Sequence, residues 1–180
     1  VEEVTLIPMG AARLRISAFP TVSPDPQAHR WTPPPRPKPP AYRASASHCF
    51  ENDTVEALCD GLEPAHSNDP TIPRFTWWPR RGSTEWVQAE FDHPRKVRGV
   101  AVYWFDDTGV GQCRVPASWR ILRREGQTWI PVETQAAPGV AKDQWNVVEF
   151  PALTTSALRL VVQLQPNVSG GILEWKILEE

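Results

Sequence analysis

The feature that most constrains this chain is a two-residue rhythm of apolar side chains that recurs across its C-terminal half. From Ala157 to Gln165, Leu158, Leu160, Val162 and Leu164 alternate with Arg159, Gln163 and Gln165. From Ile172 to Leu178, Leu173, Trp175 and Ile177 alternate with Glu174 and Lys176. Successive side chains of a strand point to opposite faces, so each run predicts a strand with one buried face. Val97–Phe105 (VRGVAVYWF) is rich in β-branched and aromatic residues, and Trp86–Phe91 is a further strand candidate. Trp119–Arg124 and Trp129–Val132 flank Glu125-Gly126-Gln127, a hairpin-like turn, and Val147–Phe150 is a short strand. No amphipathic helix competes with these runs. The expectation is an all-β, antiparallel β-sandwich built from residues 44–180.

The N-terminal part reads differently. Val4–Pro8 and Arg13–Ile16, separated by Met9-Gly10, form a hairpin pattern over residues 1–22. A two-stranded hairpin needs a partner surface to be stable. Residues 23–43 form a proline-rich linker containing Pro24, Pro26, Pro33, Pro34, Pro35, Pro37, Pro39 and Pro40. Fixed φ and missing N–H donors favour an extended, semi-rigid spacer. Residues 1–22 are therefore read as terminal strands of a preceding region, and the chain as the C-terminal piece of a larger protein.

Charge excludes some partners. A net charge of −2 and a pI near 6.1 give no electrostatic footprint for nucleic acid or an anionic membrane. No apolar run is long enough to span a bilayer as a helix. Cys49, Cys59 and Cys113 include no C-x-x-C pair, which argues against structural zinc. Cys49 and Cys59 would form a disulfide in an exported protein; buried free thiols are the preferred reading.

No nucleophile elbow, zinc-protease helix or phosphate-binding glycine loop is present, and the four histidines are scattered. Asp106-Asp107 are adjacent, whereas glycosidic chemistry needs two carboxyls facing one substrate across about 5–10 Å. Binding is the better reading. Nine tryptophans exceed what one core readily absorbs, and indole faces stack on sugar C–H surfaces while Asp, Asn and Arg meet hydroxyls. Trp86, Trp119, Trp129 and Trp175 are read as core. Of the neighbours Trp77 and Trp78, which face opposite ways in an extended segment, Trp78 is taken as the exposed one. Long loops at 60–81 and 106–116 then supply a site of Trp78, Arg80, Asp106, Asp107 and Arg114. A loop-closing Asp107–Arg114 ion pair is the competing reading. Asp60-Gly61 is a turn that would also start a calcium loop, with Glu174 as a second carboxylate.

These residues also carry a family likeness. Val4–Gly10, Leu14–Ile16 and Phe19-Pro20 resemble the closing strands of the catalytic portion of glycoside hydrolase family 127-like proteins, which include β-L-arabinofuranosidases. Asn68-Asp69, Pro73–Pro79, Glu85–Gln88, Tyr103–Asp107, Cys113–Trp119, Lys142-Asp143 with Asn146, Thr154-Thr155 with Ala157–Arg159, and Gly170–Trp175 resemble the extra C-terminal domain of such proteins. More loosely, the same region is similar to discoidin or coagulation factor 5/8 C-type domains, which form a galactose-binding-like jelly roll. That wider resemblance implies calcium near Asp60 and Glu174 and a sugar site on loops 62–81 and 106–116. The narrower one implies a non-catalytic module of a glycan-degrading enzyme, with its own catalytic domain and a plant-type or related glycan as partners, extracellular or periplasmic. A structural domain packed on the catalytic barrel, without glycan affinity, is the alternative it leaves.

Overall fold

The computed structural model describes residues 40–180, together with the backbone of Thr5–Leu6 and Leu14–Arg15. The chain divides into two units, Val1–Pro33 and Pro34–Glu180. In the first, β1 (Thr5–Leu6) pairs antiparallel with β2 (Leu14–Arg15), placing Leu6 opposite Leu14. Residues 23–39 of the linker reading lie outside the described residues; its end is corrected, since Tyr42 is buried in the core and Arg43 opens the first strand of the second unit.

The second unit contains β3 (Arg43–Ala46), a 3-10 turn (Val55–Leu58), β4 (Phe75–Thr76), β5 (Thr84–Phe105), β6 (Ser118–Glu125), β7 (Thr128–Pro131), β8 (Trp145–Gln163) and β9 (Gly171–Glu179). There is no α-helix among the described residues. The all-β, antiparallel β-sandwich expected from the alternation is the architecture observed.

Two long strands make both layers. The first half of β5, Thr84–Glu90, pairs with Gln163–Ala157 of β8 and with β3. Its second half pairs with β9 on one side and with Glu149–Trp145 of β8 on the other. Between Glu90 and Arg95, around Pro94, the ladder breaks and the strand turns the corner from one layer to the next. The sequence runs Trp86–Phe91 and Val97–Phe105 are thus two halves of one strand, as are Val147–Phe150 and Ala157–Gln163. β6 and β7 complete the first layer through a hairpin in which Glu125 opposes Thr128 and Gly126 takes φ 58°.

The corner also resets which residues face inward. Val87 and Ala89 are buried in the first half of β5, Phe91 and Val97 keep that phase across the corner, and Val100, Val102 and Trp104 are buried beyond it. The phase flips at a bulge between Val97 and Gly99. A Cβ at Gly99 would lie 2.7 Å from the Val148 carbonyl oxygen, so only glycine allows the strands to approach there.

The core takes Trp77, Trp104, Trp119 and Trp175 with Phe75, Ile121, Leu158, Leu160 and Val162. Each large apolar side chain removed from water contributes about 1.5–3 kcal/mol before entropy is counted. The indoles meet at angles: Phe75–Trp77 at 5.0 Å between ring centroids, Trp104–Trp119 at 5.5 Å and Tyr42–Trp175 at 5.4 Å. Trp119 donates its indole N–H to the Gly139 carbonyl at 2.7 Å. Those of Trp77, Trp104 and Trp175 have no hydrogen-bond acceptor among the described residues.

Trp86 and Trp129 correct the sequence reading. Both are half-buried and lie on the outer face of the first layer. Trp86 has the opposite phase to Val87 and Ala89, and Trp129 sits opposite Arg124. The three cysteines are free thiols, with Cys49 half-buried and Cys59 and Cys113 buried. Burial pushes the Cys59 and Cys113 thiols up to about 12.

Candidate functional site

Three segments converge at one cleft of about 360 Å³: Phe50–Asp53, Arg74–Trp78 and Phe105–Cys113. The first is tied to the second through backbone bonds from Phe50 N to Thr76 O (3.1 Å) and Thr54 N to Arg74 O (3.2 Å). Cleft polarity comes from two carboxylates. Asp53 Oδ1 accepts from Arg74 Nε at 3.1 Å, and its Oδ2 accepts from Thr76 Oγ1 at 2.5 Å. The Arg74 guanidinium lies 5.1 Å from the Phe105 ring centroid. An arginine held by a carboxylate and a ring keeps its remaining in-plane donors aimed in fixed directions.

The second carboxylate, Asp107, starts a tight loop. Its carbonyl accepts from Val110 N and Gly111 N, both at 2.9 Å, and its Oδ1 accepts from Cys113 N at 2.8 Å. Gly111 is needed here, since a Cβ would lie 2.0 Å from Asp107 Oδ2. The loop lifts Val110 to 85% exposure at the rim. Opposite, Trp78 walls the cleft while the Arg81 guanidinium covers its ring at 4.6 Å. Trp77 is fully buried and Trp78 half-buried, the alternation of an extended segment. His48 holds the Trp78 carbonyl through Nε2 at 2.7 Å.

Of the residues singled out in the sequence, the structure brings Trp78 and Asp107 together. It removes the others from the cleft. Asp106 is buried; its Oδ1 accepts from Thr108 N (3.0 Å) and Oγ1 (2.5 Å), its Oδ2 from Val115 N (3.1 Å). Burial acts to raise its pKa, but these bonds and nearby Lys142 hold it below the ordinary carboxylate range. Asp106 therefore shapes the loop from a buried position and does not line the cleft. Arg114 spends Nη1 on Asp107 Oδ1 (3.2 Å), Gly111 O (3.1 Å) and Cys113 O (2.6 Å), the loop-closing arrangement. Arg80 is exposed and sits 3.9 Å from Glu85. Asp53 and Arg74 were missed: Asp53 reads as an ordinary turn residue, and Arg74 becomes a site residue only when β4 carries it against the 50–54 segment.

Asp60 and Glu174 do meet. Glu174 stands on β9 and is covered by the loop that follows the 3-10 turn; both residues are buried. Gly61 N donates to Glu174 Oε2 at 3.0 Å and Leu62 N to Asp60 Oδ1 at 2.9 Å. Burial, then the charge and hydrogen bond of Asp60, push the Glu174 carboxyl up to about 9. Desolvation raises Asp60 as well. Two buried carboxyls facing each other require a proton or a cation between them. As hard oxygen donors they fit calcium, but they supply only part of the six to eight oxygens it takes. No group of three or more His, Cys, Asp or Glu side chains converges among the described residues.

No protein-family model matches the sequence, and no curated protein matches it. Solved structures do. A chain from the Streptococcus pneumoniae β-galactosidase BgaA superposes with a TM-score of 0.65 at 24% identity, covering 77% of this chain and 92% of that one. The family 32 carbohydrate-binding module of Clostridium perfringens NanJ, solved with galactose, gives 0.57 at 15% identity, covering 76% and 93%. The family 32 module of AlyQ, solved with 4,5-unsaturated mannuronic acid, gives 0.53 at 17% identity, covering 77% and 95%. The sandwich has the galactose-binding-like fold of these modules.

Proposed function

We propose that this chain is a non-catalytic carbohydrate-binding module and that the Trp78–Asp107 cleft holds its sugar. The observation that carries this is the pairing of an indole wall with carboxylate and guanidinium groups already fixed by the protein. A sugar ring stacks its C–H face on Trp78 while Asp53, Arg74 and Asp107 meet its hydroxyls. Prepositioned polar groups lose little entropy on binding, which suits a shallow site with few contacts. Modules of this fold bind galactose in NanJ and an unsaturated mannuronic acid in AlyQ, and a chitosan-binding module of Paenibacillus shares it. A glycan partner of plant or related type is what the resemblance to family 127-like proteins adds to this proposal.

Within a family 127-like glycoside hydrolase, outside the cytoplasm, such a module would keep its catalytic domain at the polysaccharide. Tethering raises effective concentration even when each contact is weak. Calcium, if bound, is held by Asp60 and Glu174 and pins the loop that follows the 3-10 turn to β9; it takes no part in the sugar contact.

Calorimetric titration of the 180-residue protein against a broad panel of neutral plant and microbial oligosaccharides tests the reading, with calcium and with chelator. Saturable binding that Trp78→Ala weakens supports the cleft. A folded protein that binds nothing on the panel, with or without calcium, would favour a structural domain packed on its catalytic partner.

A further inference from the structure

The outer face of the first layer is built unlike a solvated sheet surface. Between β5, β8 and β7 the Arg159 guanidinium lies 4.4 Å from the Trp86 ring centroid and 4.2 Å from that of Trp129. Arg124 continues the stack at 5.6 Å from Trp129. The order across the face is Trp86, Arg159, Trp129, Arg124. Gln88 fixes one edge of Arg159 by accepting from Nε at 3.2 Å and Nη2 at 2.6 Å. Its Nη1 has no acceptor among the described residues. Arg120 shares a row with Trp86 across the intervening Val161 of β8; it is exposed and forms no ion pair among the described residues.

This arrangement sets charge as well as shape. Arg43, Arg120, Arg124 and Arg159 share these rows with one carboxylate, Glu90, which pairs with Arg43 and Arg124. A chain of net charge −2 therefore concentrates guanidinium on one sheet face. Stacking puts two guanidiniums over Trp129 and one over Trp86. It leaves the in-plane N–H groups of the arginines at the surface, in the geometry that grips carboxylate or sulfate. Arg120 and Arg124 stand four residues apart on β6, about 13 Å, and Arg159 lies on the neighbouring β8 in register with Leu122 between them, so the donors are spread over the face. A polymer carrying anions along its length is the complementary shape.

We infer that this face is a second binding surface, separate from the cleft, for a polysaccharide bearing carboxylate or sulfate groups. It shares no residue with the cleft and does not depend on it. The two anion chemistries are separable with carboxymethyl-dextran and dextran sulfate, against uncharged dextran and duplex DNA.

The intact protein is titrated with each polymer while the tryptophan indole N–H resonances are followed. Expected is binding of one or both anionic dextrans, displacement of the Trp86 and Trp129 resonances, and loss of affinity as salt screens the contact. Arg120→Gln weakens binding about threefold, and Arg120→Gln with Arg159→Gln at least tenfold. Arg120 is exposed, so its single variant reports even if the double variant unfolds. Equal binding of uncharged dextran, shifts confined to Trp78, or unchanged affinity in folded Arg120→Gln would overturn the inference. Tighter binding of DNA than of either anionic dextran would overturn it too, assigning the face to nucleic acid.

Discussion

The cleft and the Asp60–Glu174 junction both draw on a pair of acidic side chains, yet they solve opposite problems. In the cleft each carboxylate has a cationic or N–H partner: Arg74 and Thr76 for Asp53, the Cys113 amide and Arg114 for Asp107. Both carboxylates have their charge compensated by the protein itself and remain beside an open volume, ready to meet a polar ligand. At the junction two carboxyls are buried against each other, with backbone N–H groups and the charge of Lys176 to compensate them in part. That site fastens a loop to a strand. Acidic residues thus divide into binding and fastening groups by what neutralises them.

The comparison breaks first at Glu174. Its folded carboxyl, held near 9 against an ordinary 4.5, keeps a proton that the unfolded chain releases. The folded state then binds more protons between those values, so stability falls as pH rises. It is complete below about pH 4.5 and lost on approaching pH 9. In chelator the expected loss between pH 5.5 and 8.5 is roughly 4 kcal/mol, on the order of 10 °C in thermal midpoint. Differential scanning calorimetry checks it, and Glu174→Gln flattens the slope. Calcium acts in the reverse sense, raising the midpoint most at high pH, where the pair is charged.

Trp78→Ala sharpens the other side. Loss of the indole wall is expected to weaken glycan binding by about 1–2 kcal/mol, roughly 5- to 30-fold, read by calorimetric titration. Its thermal midpoint should fall by several degrees while the fold is kept, since Trp78 also packs against the cluster of Leu62, Ile72, Tyr103 and Phe105. Gly111→Ala gives a smaller effect. The new methyl must push Asp107 Oδ2 aside, so affinity falls a few-fold while the junction's pH slope stays as it was. The smallest expected effect concerns Cys113, beneath the cleft wall. A thiol held near 12 is almost wholly protonated at pH 8, and alkylation of the native protein should follow global unfolding, with reaction at Cys49 coming first.

Much of the fold was legible because alternation survives in single strands. Leu158, Leu160 and Val162 point inward as their period requires. What alternation could not show was the corner at Pro94, where one strand serves two layers, or the phase flip at Gly99. The same limit misplaced Trp86, whose phase with Val87 and Ala89 assigns it outward once the register is known. β3 and β4 are short and gain their identity from the long strands they pair with.

The candidate site was legible only in part, for a physical reason. Composition marked the loops, and Trp78 and Asp107 line the cleft. Asp106 is identical in type to Asp107 but faces the opposite way, and hydrogen bonds hold it in the loop. Asp53 and Arg74 lie 21 residues apart and meet only through the pairing of the 50–54 segment with β4. No local spacing encodes that meeting. The Asp60–Glu174 pairing, at still longer range, was reached through resemblance to discoidin-type domains.

The central claim, that the Trp78 cleft is where a sugar sits, is tested most directly by following the nine indole N–H resonances during titration with a neutral oligosaccharide that the protein binds. The account expects the Trp78 resonance to move saturably, with Trp77, Trp104 and Trp175 unmoved in the core. Saturable binding that leaves Trp78 in place and moves another indole would contradict it.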